Sequence, residues 1–362
     1  MRNFKHKPGT VDKAKKPASL AACVLLSAVV PAHANDSTAT LGAGGLELTV
    51  SADITMEKEE LYLSSKDIRV NYLFRNTSKE DIRTRVAFPM PEVSFGPIDN
   101  IVLPQPEKDN FVDFTVKADG EPIKPELHIQ ALSAPVDDSA KPAFPEGADI
   151  TEAVQRAGLP INAGLENWNP TLSAMSKDRR KALVSEGLLY DDDSNGDGSP
   201  DGLSPQWSMR ETYHWQQTFP ADKTVKVEHH YKPVSGISFF TGDESDVDTI
   251  SETFGKDYCL DQSGLAGIHR LLNEARSASA AGKDDLYVFA TETEYVLHTG
   301  ANWKGPIGDF RMTIDKLFPD AVLSTCADGI VKTGPTTFAV ERENFTPTHD
   351  VRFVVFRFGD AG

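Results

Sequence analysis

The sequence predicts a mainly β protein, sandwich-like, built as two β-rich domains with a helical insertion. Three observations predict it. Short runs of alternating apolar and polar residues recur between 46 and 135 and again after 285. Turn residues separate them, most clearly Asp119-Gly120 between two extended runs. Residues 136–206 break the pattern with loop composition and two short helical stretches.

The elements follow in order. "LELTVSADITM" (46–56) sets Leu46, Leu48 and Val50 against Glu47, Thr49 and Ser51. "DIRVNYLFRN" (67–76) alternates Ile68, Val70, Tyr72 and Phe74, and "DIRTRVAFPM" (81–90) closes on Phe88-Pro89. "FVDFTVKADGEPIKPELHIQ" reads as a hairpin about Asp119-Gly120. In the insertion, "ADITEAVQRAGL" forms a helix stopped near Gly158, and "SKDRRKALVSEGLL" one capped by Ser176 and ended at Gly187. "WSMRETYHWQQTF" places Trp207, Met209, Tyr213, Trp215 and Phe219 on one face, and "TVKVEHHYKP" places Val225, Val227, His229 and Tyr231 together. A turn at Pro220–Lys223 joins these two as a long hairpin. From 236 the pattern is mixed, with a helix over 263–279 whose Leu265, Ile268, Leu272 and Ala275 share a face, and strands at 285–298, 307–314, 336–342 and 350–358. The domains so defined are 35–235, carrying the insertion, and 236–362.

Residues 1–34 read as a secretory signal. Six basic residues, from Arg2 to Lys16, precede the apolar run "ASLAACVLLSAVVPAHA", which ends in Ala32-His33-Ala34. Cleavage is expected after Ala34, leaving Asn35 first. "LAAC" imitates a lipoprotein box, but the apolar run follows Cys23 instead of preceding it. Removing residues 1–34 leaves 31 basic and 53 acidic residues, a formal charge of −22. That excess argues against nucleic acid and anionic membrane surfaces as partners. No later run approaches a membrane span, so no membrane insertion is expected. Cys259 and Cys326 remain, and in an oxidising compartment they read as one disulfide.

In this order, "NDSTATLGAGGLELT", "VNYLFRN…VAFPMP", "TYHWQQTFPADKTVKVEHHYKP", "DYCLD", "YVLHTGANWKGPIGDFRMTIDK" and "GPTTFAVERENFTPTHDVRFVVF" are landmarks spread over residues 35–358. Together they resemble a bacterial family of exported proteins, domain of unknown function 4424. The resemblance implies export and a largely β architecture, and it transfers no catalytic residue.

Motifs for catalysis are absent: there is no G-x-S-x-G, no H-E-x-x-H and no Walker loop. Gly42, Gly44 and Gly45 lack the third glycine of a dinucleotide loop, and read as a flexible lead into the first strand. His214 and His230 both oppose the apolar face of the expected hairpin, and two solvent-facing histidines are the reading there; His229 and His230 point to opposite faces. Trp303 is expected to pack at a turn shaped by Gly305, Pro306 and Gly308.

The acidic run "DDDSNGDGSPDG" (191–202) is the strongest candidate site. Asp193, Asn195, Asp197, Ser199 and Asp201 take positions 1, 3, 5, 7 and 9 of a calcium loop, with Gly198 at the sharp turn. The run resembles thrombospondin type 3 loops. It lacks the bidentate glutamate of an EF-hand, since position 12 is Ser204. Its composition equally suits a polar linker. The expected role is a non-catalytic binding or structural protein of the cell envelope, meeting an unknown envelope or extracellular protein and possessing, at most, calcium as a cofactor. The alternative is an envelope-directed hydrolase with carboxylate catalysis. A deep pocket holding two carboxylates of raised pKa would favour the alternative.

Overall fold

The computed structural model describes residues 35–42, 45–96, 100–134, 143–191, 202–283 and 286–360. The chain is mostly strand, in antiparallel sheets that meet over one shared core. Contacts gather the described residues into a single compact unit.

The largest sheet has eight strands. In order they are β19 (Val331–Lys332), β20 (Thr337–Phe345), β17 (Ile307–Asp315), β3 (Ile54–Leu63), β4 (Ile68–Asn76), β14 (Thr224–Tyr231), β8 (Thr115–Ala118) and β9 (Glu121–Ile123). A second sheet runs β10 (Glu126–Ser133), β13 (Trp207–Phe219), β5 (Ile82–Pro89), β1 (Ser37–Gly42) and β2 (Gly45–Thr49), with β6 (Val93–Ser94) also on β13. The third runs β18 (Val322–Thr325), β21 (Val351–Gly359), β16 (Tyr287–Tyr295), β15 (Ser235–Phe240) and β7 (Ile101–Val102). In the insertion, β11 (Leu189–Asp191) pairs with β12 (Leu203–Pro205), beside α1 (Thr151–Ala157), α2 (Trp168–Ala174) and α3 (Lys177–Ser185). Helices α4 (Asp246–Phe254) and α5 (Gln262–Ala280) cover the third sheet.

Local chemistry explains the elements. Asp119 and Gly120 both take positive φ, as a tight two-residue hairpin turn requires between β8 and β9. The Ser176 hydroxyl accepts from the Arg179 N–H, and Gly158 closes α1 in the left-handed region. β21 reads as an almost unbroken apolar run because both its faces are covered: Val351, Phe353 and Val355 enter the shared core, while Val354 and Phe356 meet α4 and α5.

Several expectations are corrected. The run 46–56 is two strands, because β2 ends at Thr49 and β3 begins at Ile54. "STATLG" is itself a strand, β1, which ends at Gly42 and pairs with β2 from Gly45, so the first strand precedes the glycines and they are not a lead into it. β13 and β14 do not pair. β13 lies between β10 and β5, and β14 between β4 and β8, so the turn at Pro220–Lys223 carries the chain from one sheet to another. The two strands present their apolar faces to each other across a core instead of forming one surface. The largest sheet draws strands from both sides of residue 235: β17 and β20 lie in the same sheet as β3, β4 and β14, with β17 parallel to β3.

Two features set up the interior. The β3–β4 register shifts between Met56 and Lys58. This bulge reverses the parity of the strand, so Ile54 and Met56 point inward before it and Glu59, Leu61 and Leu63 after it. Gly308 lies opposite; a β-carbon there would come within 2.6 Å of the Glu57 carbonyl oxygen. At the other end of the core, Cys259 and Cys326 are bonded, with Cα atoms 5.0 Å apart.

Candidate functional site

A cavity of about 200 Å³ opens where the three large sheets meet. β13 contributes Met209 and Glu211, the end of β14 contributes Tyr231, and β16 contributes Glu292, Thr293 and Glu294. Phe111, Val112, Tyr258 and the segment Met90–Ser94 complete the wall.

Glu211 is the unusual residue. It occupies the same inward parity as Trp207, Met209, Tyr213, Trp215 and Phe219, and is 2% exposed. Neither of its carboxylate oxygens has a protein hydrogen-bond partner. Tyr213 is close enough to favour the charged form, but its single hydroxyl proton is directed to Asn110 Oδ1 at 3.0 Å. Burial pushes the Glu211 carboxyl from its ordinary 4.5 up to about 8, with Asp109 adding to the shift and Tyr213 opposing it. At neutral pH the group is mostly protonated. The Tyr231 hydroxyl and Thr293 Oγ1 are also buried without protein partners. Three unpartnered polar groups thus line one cavity, where an unmet group is destabilising by about 1–3 kcal/mol.

The remaining acidic groups are fastened. Glu292 Oε2 accepts from the Tyr258 hydroxyl at 2.6 Å. Glu294 accepts from both Nε and Nη2 of Arg352, at 3.1 and 3.0 Å. Burial raises the Glu294 pKa and Arg352 opposes the rise. Glu92 pairs with Arg210 at 2.5 Å and accepts from Ser208 at 2.9 Å. Tyr258 itself is held by its neighbour's disulfide and by the Ser324 hydroxyl, which donates to the Tyr258 carbonyl at 2.9 Å. The cavity therefore has rigid acidic walls and one uncommitted carboxyl.

The residues singled out from sequence lie elsewhere. Asp193, Asn195, Asp197, Ser199 and Asp201 fall outside the described residues. Among the described residues no group of three or more His, Cys, Asp or Glu side chains is placed to hold a metal ion. His214 and His230 are in different sheets and do not meet. His214 is buried, contrary to the solvent-facing expectation, whereas His230 is half exposed and contacts Asp67 Oδ1 at 2.5 Å. His229 faces the core, ringed by Tyr72, Phe88, Phe114 and Trp215, and burial lowers its pKa to about 3. Trp303 packs as expected, and its Nε1 donates to the Asp36 carbonyl at 2.6 Å. A signal for Glu211 was present in the sequence: it is the one carboxylate within the aromatic stripe of 207–219.

The molecule is thus a mainly β, multi-sheet protein with a small acidic cavity at the junction of its sheets. It belongs to the family described as "Domain of unknown function (DUF4424)", whose model matches residues 34–354. No curated protein matches the sequence. Among solved structures it is similar to a "putative nutrient binding protein" from Legionella pneumophila, with 14% identity and a TM-score of 0.40, over 89% of this chain and 70% of that one. A likeness at that level carries no functional argument. Among the described residues no helix is long and apolar enough to cross a membrane.

Proposed function

We propose that this is an exported, non-catalytic binding protein whose cavity takes a small organic cation, such as a primary amine. One observation carries the reading: Glu211 presents a buried carboxyl with no protein partner in the wall of a cavity. A cation would ionise Glu211 and donate to it, while the Tyr231 hydroxyl and Thr293 Oγ1 supply further polar contacts and Phe111 and Tyr231 supply apolar surface. Glu292, bonded to the neutral Tyr258 hydroxyl, adds negative potential that disfavours anions, whereas Glu92 and Glu294 are compensated by Arg210 and Arg352. The small volume suits a ligand of few atoms. Export rests on the signal-like residues 1–34 and on the disulfide, which suits an oxidising compartment.

The test is isothermal titration with ethylamine, ethanolamine and putrescine against the wild-type protein and Glu211→Gln. Heat of binding to at least one amine, lost in Glu211→Gln, is expected. No binding by any of the three would count against a cation site.

The second reading, a carboxylate hydrolase, has its own observation: Glu211 and Glu294 both have raised pKa values and line one cavity. It ranks second because Arg352 Nε and Nη2 both donate to Glu294 Oε1, which holds Glu294 in an ion pair and leaves one unpaired carboxyl where two would have to act. Turnover of a glycoside or ester substrate, abolished in both Glu211→Gln and Glu294→Gln, would promote it.

A further inference from the structure

The strand β1 is entered through a buried polar cluster whose residues do not line the cavity. Asn35, Asp36 and Glu59 are all fully buried. Asn35 Nδ2 donates to Glu59 Oε1 and Oε2, both at 3.3 Å, and to the Leu297 carbonyl at 3.3 Å. Its Oδ1 accepts from the Tyr72 hydroxyl and from the Asp36 N–H. The Asn35 backbone nitrogen donates to Thr299 Oγ1, whose hydroxyl donates back to the Asn35 carbonyl at 2.8 Å. Gly300 makes room, since a β-carbon there would lie 2.7 Å from Asn35 Nδ2.

What the cluster lacks among the described residues is a positive charge. Glu59 accepts long hydrogen bonds from a neutral amide, with the Tyr295 hydroxyl beside it. Asp36 has no hydrogen-bond partner on either carboxylate oxygen. The nearest basic side chain, His229, lies 3.5 Å from Asp36 Oδ2, is fully buried, and is held neutral by that burial. Two carboxyls buried without a counter-charge are strongly destabilising unless one is supplied or both stay protonated.

We infer that the counter-charge is the α-ammonium of Asn35, created when the chain is cut after Ala34. Hydrolysis of the Ala34–Asn35 bond places a hydroxyl on the Ala34 carbonyl carbon and leaves the Asn35 nitrogen as an amine, which takes up a proton. One backbone N–H becomes a cation with three donors, on a residue that already touches Glu59 and adjoins Asp36. The freed terminus locks β1 into the sheet beside β5, and export processing becomes the last step in stabilising the fold. This inference rests on the proposed cleavage after Ala34, and the experiment separates the two.

A chain beginning at Asn35 is released in vitro by a protease that leaves no added residue, and is compared with one retaining Ala32-His33-Ala34. Each is made as wild type and as Glu59→Gln, and all four are melted at pH 7.5. In the chain beginning at Asn35, Glu59→Gln is expected to lower Tm by roughly 5 °C or prevent folding, as loss of one partner of a buried pair does. In the extended chain the same change should leave Tm unchanged or raise it. Equal shifts in both backgrounds would overturn the inference. A second measurement needs no variant: the α-amine of the wild-type chain beginning at Asn35 should be acylated at least tenfold more slowly when folded than in urea. Equal rates would also overturn it. The N-terminal mass of the protein recovered after native export reports on the cleavage site alone.

Discussion

Replacing Glu211 with glutamine should make the protein more stable in alkali and flatten its pH dependence. In the folded state the carboxyl keeps its proton up to about pH 8, whereas in the unfolded chain it ionises near 4.5. The stability contributed by protonated Glu211 is therefore fully present below pH 4.5 and is lost as pH rises through about 8. The full shift is worth about 5 kcal/mol, at about 1.4 kcal/mol per pKa unit. Between pH 5.5 and 8.5 the wild type should lose about 3 kcal/mol through this group, or roughly 4 °C in Tm for a chain of this length. His229 titrates in the opposite direction, its stability contribution being lost as pH falls from 6.5 toward about 3. It is common to the two proteins and cancels in the comparison. Urea denaturation at pH 5.5 and 8.5 provides the assay. Glu211→Gln should lose about 3 kcal/mol less than wild type over that interval. An equal loss in both proteins would refute the claim that Glu211 is buried without a partner.

Further outcomes follow from other parts of the molecule. Cys259→Ser with Cys326→Ser opens a 67-residue span and should lower stability by about 2–4 kcal/mol, while weakening amine binding through the loosened Tyr258; denaturation and titration report the two effects separately. Gly308→Ala drives a methyl against the Glu57 carbonyl and should lose roughly 1–3 kcal/mol in a thermal or urea melt. The run Asp193, Asn195, Asp197, Ser199 and Asp201 is proposed to hold one calcium ion with a Kd of roughly 10⁻⁴ to 10⁻³ M. Millimolar calcium should then raise the Tm of wild type slightly and leave Asp193→Ala with Asp197→Ala unmoved; equal shifts would place the ion elsewhere.

Much of the β architecture was legible because period-two alternation survives wherever a strand has one covered face. Ile68, Val70, Tyr72 and Phe74 mark β4 in this way, and Asp119-Gly120 marks its hairpin by a backbone requirement that few other residues meet. Sheet membership was not legible. Pro220–Lys223 reads as a hairpin turn, and nothing local reveals that the strands on either side pair with different neighbours. The inward turn of Glu59 was hidden by the bulge after Met56, since a parity count from Ile54 sends Glu59 outward. The cavity was half legible: Glu211 stands out within its aromatic stripe, but Glu292, Thr293 and Tyr258 join it only through tertiary packing. Asn35 and Asp36 look like an ordinary polar start, and only the fold buries them.

The binding claim is tested most directly by proton release. With a pKa of about 8, Glu211 is about 0.9 protonated at pH 7, and a bound cation should ionise it. Titrating the wild-type protein with ethanolamine or putrescine at pH 7, in phosphate and in HEPES, neither of them a primary amine, separates proton release from the intrinsic heat through the different ionisation enthalpies of the buffers. The account predicts release of about 0.9 proton per amine bound to wild type and loss of the binding in Glu211→Gln. Binding without proton release, or binding that persists unchanged in Glu211→Gln, would contradict it.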